Sequence, residues 1–488
     1  MKKNNIIQKI VDWKVILGIQ VIASIVLIAL FFKLNALPML YIGAVIVLVA
    51  ILCLITFLLM KPSKKKDAGK VRNIVGKIIS IILSVVLLFG SLSVAKGDSV
   101  IGKITGANSE TSRISVIVMK DSVFKDVEDL RGQTIEASDT SSQNMQKAIA
   151  DLKSKVDNIE IQNVDNFVQL ADDLYDGKTN AIYIDEGYSS MFEDSHENFS
   201  NETRVLYTYE ITKEVQDFSK DVNVTNEVFN IFISGIDTTG PVSTVSRSDV
   251  NMIVTVNPKT KQILMTSIPR DYYVTLANKG KKDKLTHAGL GGVENSVKTL
   301  ENFLGIDINY YARVNFTSLI KMVDALGGID VESPVAFTTM HGGYHIKKGT
   351  NHLNGDEALG FVRERYGLAN GDNDRVKNQQ RVLTAMLEKM MSPAVITNYS
   401  KVLDSIAGSF ETNMSSSEIT SLLKMQLNDM AKWDIMQIQL SGTGKSMTGG
   451  AYMPNNKLYY MIPDQDSVNE CVSLIKKMDA GEKISISE

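Results

Sequence analysis

Hydrophobic positions follow two regimes along the chain. Near the amino terminus they form unbroken uncharged runs at residues 15–32, 36–60 and 78–95, of 18, 25 and 18 residues. Each is close to the roughly 20 residues that cross about 30 Å of hydrocarbon as a helix, so three membrane spans and an anchor over residues 1–97 are predicted. The first run lacks a small-residue cleavage site followed by polar sequence and leads directly into the second, which argues against a removed signal peptide.

After residue 98 the apolar runs become short and alternate with helical periodicity. Strands are expected at 114–119, 134–137 and 181–184 with a helix at 142–154, a small α/β accessory domain over 98–212. Polar residues 213–227 read as a linker, and 228–488 as a larger domain. There, strands are expected at 228–235, 250–256 and 262–268, the last two joined by the turn NPKT at 257–260. Helices follow at 293–304 and 318–326, strands at 309–314 and 329–331, and a helix at 354–362 capped by Asn354. A helix from about 372, strands at 434–440 and 458–462 and a closing helix at 465–478 complete a mixed central sheet covered by helices on both faces, an α/β/α arrangement.

Charge separates the two regimes further. Residues 1–97 hold 13 Lys/Arg against Asp12 and Asp67, a balance of +11, whereas residues 98–488 carry 39 Lys/Arg against 53 Asp/Glu, or −14. Phosphate contacts need a basic surface, so so acidic a body is a poor nucleic-acid binder. The cations of the anchor precede the first span and fill residues 61–77, leaving Lys33 in the other connection. By the positive-inside rule the amino terminus and the 61–77 loop are cytoplasmic, and everything after about residue 96 is extracellular. The Lys64–Lys66 run also suits anionic membrane lipid. Cys53 lies in an apolar run and Cys471 near the end, so no structural disulfide is expected.

Candidate chemistry gathers at strand ends. The 257–260 turn closes a hairpin, so antiparallel pairing brings Arg247 and Asp249 beside Arg270 and Asp271, and a first strand parallel to the third carries Asp237 to the same rim. Two carboxylates, Asp237 and Asp249, suit a hard divalent cation such as Mg²⁺. Arg247, Arg270, Arg363, Arg365 and Arg375 can converge there, with Gln379 one turn beyond Arg375 on one helix face. Guanidinium forks match phosphate oxygens in pairs, so the cluster fits a diphosphate. Surface ion pairs, Arg363 with Glu364 or Arg270 with Asp271, are the alternative that spacing alone leaves open.

The motifs FISGIDT (232–238), SRSD (246–249), NPKT (257–260), SIPRD (267–271), KLTHA (284–288), VNF (314–316), VDALGGI (323–329), LNG (353–355), VRER (362–365), DR (374–375) and QQ (379–380) together resemble the LytR-CpsA-Psr family over roughly residues 228–390. Three spans and an accessory domain look like its capsule-associated, CpsA-like branch. The resemblance implies an extracellular phosphotransferase that moves a capsular or teichoic-acid-like glycopolymer from undecaprenyl-pyrophosphate to a peptidoglycan sugar hydroxyl, normally on N-acetylmuramic acid. It implies that Asp237 and Asp249 hold Mg²⁺ (or Mn²⁺), that Arg247, Arg270, Arg363, Arg365 and Gln379 grip the pyrophosphate with Arg375 and Asp374 close by, and that the lipid lies in an apolar tunnel between sheet and helices. Asp271, beside Arg270, is the candidate to deprotonate or orient the acceptor. A lipid-pyrophosphate hydrolase and a membrane regulator of capsule synthesis, touching capsule-synthesis membrane proteins through residues 61–77, are the competing readings.

Other signals are weaker. The segment 129–144 with 177–182 looks like one lobe of an extracytoplasmic solute-binding protein, where a helix start can hold an anion; a spacer or docking module is the other reading. SGTGKS (441–446) lacks the first glycine of a P-loop, since Gln439 stands there. His341, His345 and His352 are expected on a solvated hairpin rather than at zinc, and His287 is expected to orient a loop.

Overall fold

The computed structural model describes residues 12–62, 66–105, 109–193, 195–196, 198–236, 241–369, 371–392, 402, 405 and 410–486. The chain forms two compact units: residues 1–105 with 391–407 and 415–432, and residues 106–390 with 408–414 and 433–488.

The first unit is a membrane anchor of three helices, α1 (Trp13–Leu34), α2 (Met39–Met60) and α3 (Lys66–Ile104), each long and apolar enough to cross a membrane. Asp12 starts α1 by accepting the Lys14 N–H at 2.8 Å. The helix stops where Asn35 adopts a left-handed φ of 51°, a conformation asparagine tolerates better than most residues. At 1.5 Å per residue α1 and α2 each reach about 33 Å, enough for the hydrocarbon core. α3 passes the expected limit at residue 95 and ends at Ile104. Hydropathy marks where lipid contact ends, but helical hydrogen bonding continues through polar residues, and Lys96 and Lys103 are good helix formers. Lys33 and Asp98 form a 2.6 Å ion pair near the end of α1. Between the helices, fully buried Gln20 accepts hydrogen bonds from Thr56 Oγ1 at 2.9 Å and Ser80 Oγ at 2.6 Å. Its amide faces Cys53 Sγ at 3.6 Å. Residues from all three helices thus close around one amide.

The second unit contains both α/β parts. Strands β1 (Ser109–Met119), β2 (Thr134–Ala137), β3 (Glu160–Asn163), β4 (Ile182–Asp185) and β5 (Thr203–Glu214) make a sheet of order β3-β2-β4-β1-β5, with β2 parallel to both neighbours and β1 antiparallel to both of its own. Side chains alternate across β1: Val116 and Val118 join Met145, Ala148 and Leu152 of α4 (Gln143–Lys155), while Ile117 joins Leu170, Ala171 and Leu174 of α5 (Phe167–Tyr175). The α5-side core also takes in Met453, Leu458 and Tyr460, so the accessory sheet shares a hydrophobic core with the larger domain.

The main sheet uses β6 (Phe229–Ile236), β7 (Ser248–Asn257) and β8 (Gln262–Ile268). Next come α6 (Val293–Leu304), β9 (Tyr310–Asn315), α7 (Phe316–Ala325), α8 (Gly355–Arg363) and α9 (Asp372–Met390). The set closes with β10 (Phe410–Thr412), β11 (Asp434–Gln439), the hairpin β12 (Gly442–Met447) and β13 (Leu458–Pro463), and α10 (Gln465–Asp479). Sheet order is β10-β9-β6-β7-β8-β11, and β6 runs in the same direction as β8 because both are antiparallel to β7. Phe232, Ile253 and Leu264 pack on Val297, Leu300 and Leu304 of α6 and Val468, Cys471 and Ile475 of α10. On α9, Gln380 donates to the Ile438 carbonyl at 2.9 Å and Thr384 bonds Gln437 at 2.7 Å. Helices flank the sheet as the alternation predicted.

Residues 215–228 join the two sheets and are packed: Phe218 stacks on Tyr311 at 5.5 Å, and Lys220 pairs with Glu301 and Asp307. Glu110 of β1 accepts the first N–H of α6, from Val293, at 2.7 Å, where a carboxylate also complements the helix dipole. The same oxygen lies 3.7 Å from buried Arg313 of β9, which also pairs with Glu411.

Candidate functional site

Strand register builds the site. Ile236, at the end of β6, lies opposite Ser248 at the start of β7, after a register shift at Gly235. A Cβ on Gly235 would fall 2.7 Å from that of Val250, so only glycine lets the strands close there. β9 runs parallel to β6 with Asn315 opposite Ile236, and β8 ends at Ile268 beside Asn251. Asp249, Arg270 and Phe316 therefore all emerge at one end of the sheet.

At that end Asp249 is the hub. Its Oδ2 accepts from Arg270 Nη1 at 2.8 Å and its Oδ1 from Thr286 Oγ1 at 3.1 Å. The turn carrying Thr286 fits closely because a Cβ on Gly289 would meet the Ser246 carbonyl at 2.4 Å. Burial pushes the Asp249 carboxyl upward, but the guanidiniums of Arg270, Arg247 and Arg375 outweigh it and hold the group down at about 2. Arg247 is buried, and its Nε has no hydrogen-bond partner among the described residues. A buried donor left over beside other cations is a place for an anionic acceptor. Asp271 stands beside the hub, 3.7 Å from Arg270 Nε and 3.5 Å from Lys284 Nζ.

The remaining candidates divide. Arg363, at the end of α8, is exposed and lies 4.6 Å over the Phe316 ring, which places it at the same rim. Arg365 lies 4.5 Å over the Tyr366 ring and donates to its hydroxyl. Neither pairs with Glu364, which is buried and accepts the Met340 N–H at 2.6 Å and the Gly367 N–H at 2.7 Å. The Arg363–Glu364 alternative is thus replaced by ring stacking, because Glu364 is spent on the backbone. Gln379 is half-buried one turn beyond Arg375 on α9. Asp237 lies outside the described residues.

Thr286 and Lys284 do not stand out from the sequence, although both lie within KLTHA, because a hydroxyl and an amine carry no spacing signal of their own. His287 is fully buried and bonds Asp283 at 2.9 Å, and that carboxylate also accepts the Lys284 and Tyr452 N–H groups. The histidine thus braces the turn that presents Thr286. Gly442–Met447 is a strand rather than a phosphate loop. His345 bonds Thr338 and His352 bonds Asp330, and no group of three metal-ligating side chains occurs among the described residues.

Comparison with known proteins adds to this geometry. The sequence model of the LytR-cpsA-psr family matches residues 190–477. A second, described as DNA polymerase processivity factor, matches residues 65–184. It covers less than half of the chain and joins an apolar helix to a domain with 10 Lys/Arg against 22 Asp/Glu over residues 109–214, the wrong charge for a DNA partner. The chain is 37% identical over 249 residues to a polyisoprenyl-teichoic acid–peptidoglycan teichoic acid transferase, TagU, of Bacillus anthracis, covering 50% of this chain and 78% of that one. A protein of the same name from Enterococcus faecalis is 34% identical, with 50% and 80% covered. Among solved structures, TagV of B. subtilis is 30% identical with a TM-score of 0.45, covering 53% of this chain and 99% of that one.

Proposed function

The chain belongs to the LytR-CpsA-Psr family, and on that premise we propose that it transfers a glycopolymer from a polyprenyl-pyrophosphate carrier to a peptidoglycan sugar hydroxyl. The observation that carries the reading is the convergence of Arg247, Arg270 and Arg375 on half-buried Asp249. The transferase names of the relatives support the carrier and acceptor.

In the proposed reaction the acceptor hydroxyl attacks the phosphorus next to the glycan. The bond to the bridging oxygen breaks, a phosphodiester forms, and polyprenyl phosphate leaves. Negative charge on the pyrophosphate repels the incoming oxygen, and more builds on the bridging oxygen. Guanidiniums fixed in place beforehand offset both, each contributing about 3–4 kcal/mol. Arg270 is oriented by Asp249, and Arg363, exposed over the Phe316 ring, presents its fork to the substrate. Asp271, between Arg270 and Lys284, orients the acceptor hydroxyl and takes its proton.

Asp249 stays ionised to about pH 2, so it offers the hard oxygen donors that Mg²⁺ or Mn²⁺ requires, and Asp237 is the second ligand in this reading. Such a cation would neutralise phosphate charge beside the guanidiniums. The distribution of cations in the anchor supports a cytoplasmic amino terminus and an extracellular site. The three apolar helices ahead of an accessory sheet support a place in the CpsA-like branch, with a capsular or teichoic-acid-like polymer as cargo.

The test uses the full chain in vesicles with labelled lipid-linked glycopolymer and peptidoglycan fragments. Label should enter the fragments; release of label without acceptor would make the protein a hydrolase, and no consumption of the carrier would sink the proposal. Chelation should stop transfer and Mg²⁺ restore it. Asp271→Asn should slow transfer by about 10²–10⁴ if the group handles the proton.

A further inference from the structure

One helix of the structure has apolar side chains that protein covers only in part. Ser416–Asp429 begins with a capping box, in which Ser415 accepts the Glu418 N–H at 3.2 Å and Glu418 accepts the Ser415 N–H at 2.7 Å. It carries Ile419, Leu422, Leu423, Met425 and Leu427, yet Thr420 is its only buried residue. An apolar stripe of this kind on a helix in water is normally turned into a core. Ile419, Leu423 and Leu427 follow a four-residue spacing with Met430 three positions on, so they share one face. Leu423 is 44% and Met430 42% exposed. Ser417 and Asn428 occupy the opposite face and are exposed as well.

The helix belongs to the anchor unit, and three of its polar contacts are with the ends of the membrane helices. Ser416 Oγ lies 2.7 Å from Thr105 Oγ1, Lys424 Nζ donates to Asn35 at 3.2 Å, and Tyr41 donates to the Leu427 carbonyl at 3.2 Å. Asn35 and Tyr41 mark where α1 gives way to α2, the level at which hydrocarbon meets water and at which tyrosine is enriched. Beside them Met39 and Leu40 are 64% and 81% exposed. The medium that covers those side chains of a membrane helix is lipid, and the Leu423 face continues the same surface.

We propose that the Ser416–Asp429 helix lies in the lipid headgroup layer, with Ile419, Leu423, Leu427 and Met430 toward the acyl chains and Ser417 and Asn428 toward water. This is the arrangement of an amphipathic interfacial helix. Only residues 413–415 and 430–433 separate it from β10 and β11, the two edge strands of the main sheet. The chain therefore has a lipid contact written between two strands of its α/β domain, in addition to its three spans.

The test places a nitroxide at Leu423→Cys or Asn428→Cys in the full chain, reconstituted in vesicles of phosphatidylglycerol and phosphatidylethanolamine, with the unsubstituted chain as the background for Cys53 and Cys471. At residue 423 relaxation by oxygen should exceed that by a water-soluble nickel complex several-fold, and at residue 428 the order should reverse. Equal access of nickel to both positions would overturn the proposal, as would exclusion of both reagents from residue 423, which would mean a protein cover. In the unsubstituted chain a photoactivatable phospholipid with its carbene near the glycerol level should label residues 419–430; labelling confined to residues 13–104 would also overturn it.

Discussion

Two polar clusters in this protein, one buried and one half-buried, are built alike and behave oppositely. Around Gln20 three helices contribute neutral groups, and the amide oxygen takes both the Thr56 and Ser80 hydroxyls. Around Asp249 three guanidiniums bear on one carboxylate, and Arg247 Nε finds no acceptor among the described residues. In the first cluster the hydrogen bonds end where they begin, so it fastens helices in a medium that offers no competing water. In the second, positive charge and donor capacity are concentrated where burial makes both costly. A closed polar cluster is architecture; an open charged one is a place for a ligand.

Removing the guanidinium that pairs with the hub should have the largest effect. Arg270→Ala is expected to lower the transfer rate by about 10²–10³, and Arg270→Lys to recover only part of it, because an ammonium lacks the planar fork. Turnover of the labelled carrier in vesicles reads this, and undiminished turnover would reduce the open cluster to structure. Gln20→Leu should cost only about 1 kcal/mol of stability in detergent, since Thr56 and Ser80 lie on helices that can satisfy a hydroxyl from their own backbone. Transfer by Gln20→Leu should be unchanged, and a loss matching that of Arg270→Ala would erase the contrast.

The smallest effect concerns a half-buried group in the accessory domain. At the end of β4, burial pushes the Asp185 carboxyl up to about 6 from an ordinary 3.8, even though it accepts the Gly187 N–H. The folded chain thus holds this proton more tightly than the unfolded one. The resulting stability is full below the ordinary value and is lost as pH rises through about 6. Asp185→Asn should therefore raise the unfolding temperature by a few degrees at about pH 7.5 and by less at about pH 4.5. A gain independent of pH would assign the effect to something other than titration.

Much of this was legible in the residues. The apolar runs located all three membrane helices, and the turn at 257–260 set the hairpin that places Asp249 beside Arg270. Asn354 does cap α8, with its side chain accepting the Glu357 N–H at 3.0 Å. What escaped was structure that no long uncharged apolar run marks out. The last turns of α3 are polar, and the apolar residues of the Ser416–Asp429 helix form no long uncharged run, although Ser415 and Glu418 spell a capping box ahead of it. Thr286 was invisible as a site residue, because its hydroxyl matters only once Gly289 lets the turn fold onto residues 246–248.

Periodicity, charge separation and turn chemistry are local properties, and from them the chain's own residues determined the anchor, the order of strands and helices, and the arginines available for an anion. Which of those arginines meet was decided by tertiary structure. Arg247, Arg270 and Arg375 bear on one carboxylate, whereas Arg363 and Arg365 lie on aromatic rings, because strand register and helix docking decide which side chains meet, in the case of Arg375 and Asp249 across more than a hundred positions that no short-range pattern encodes.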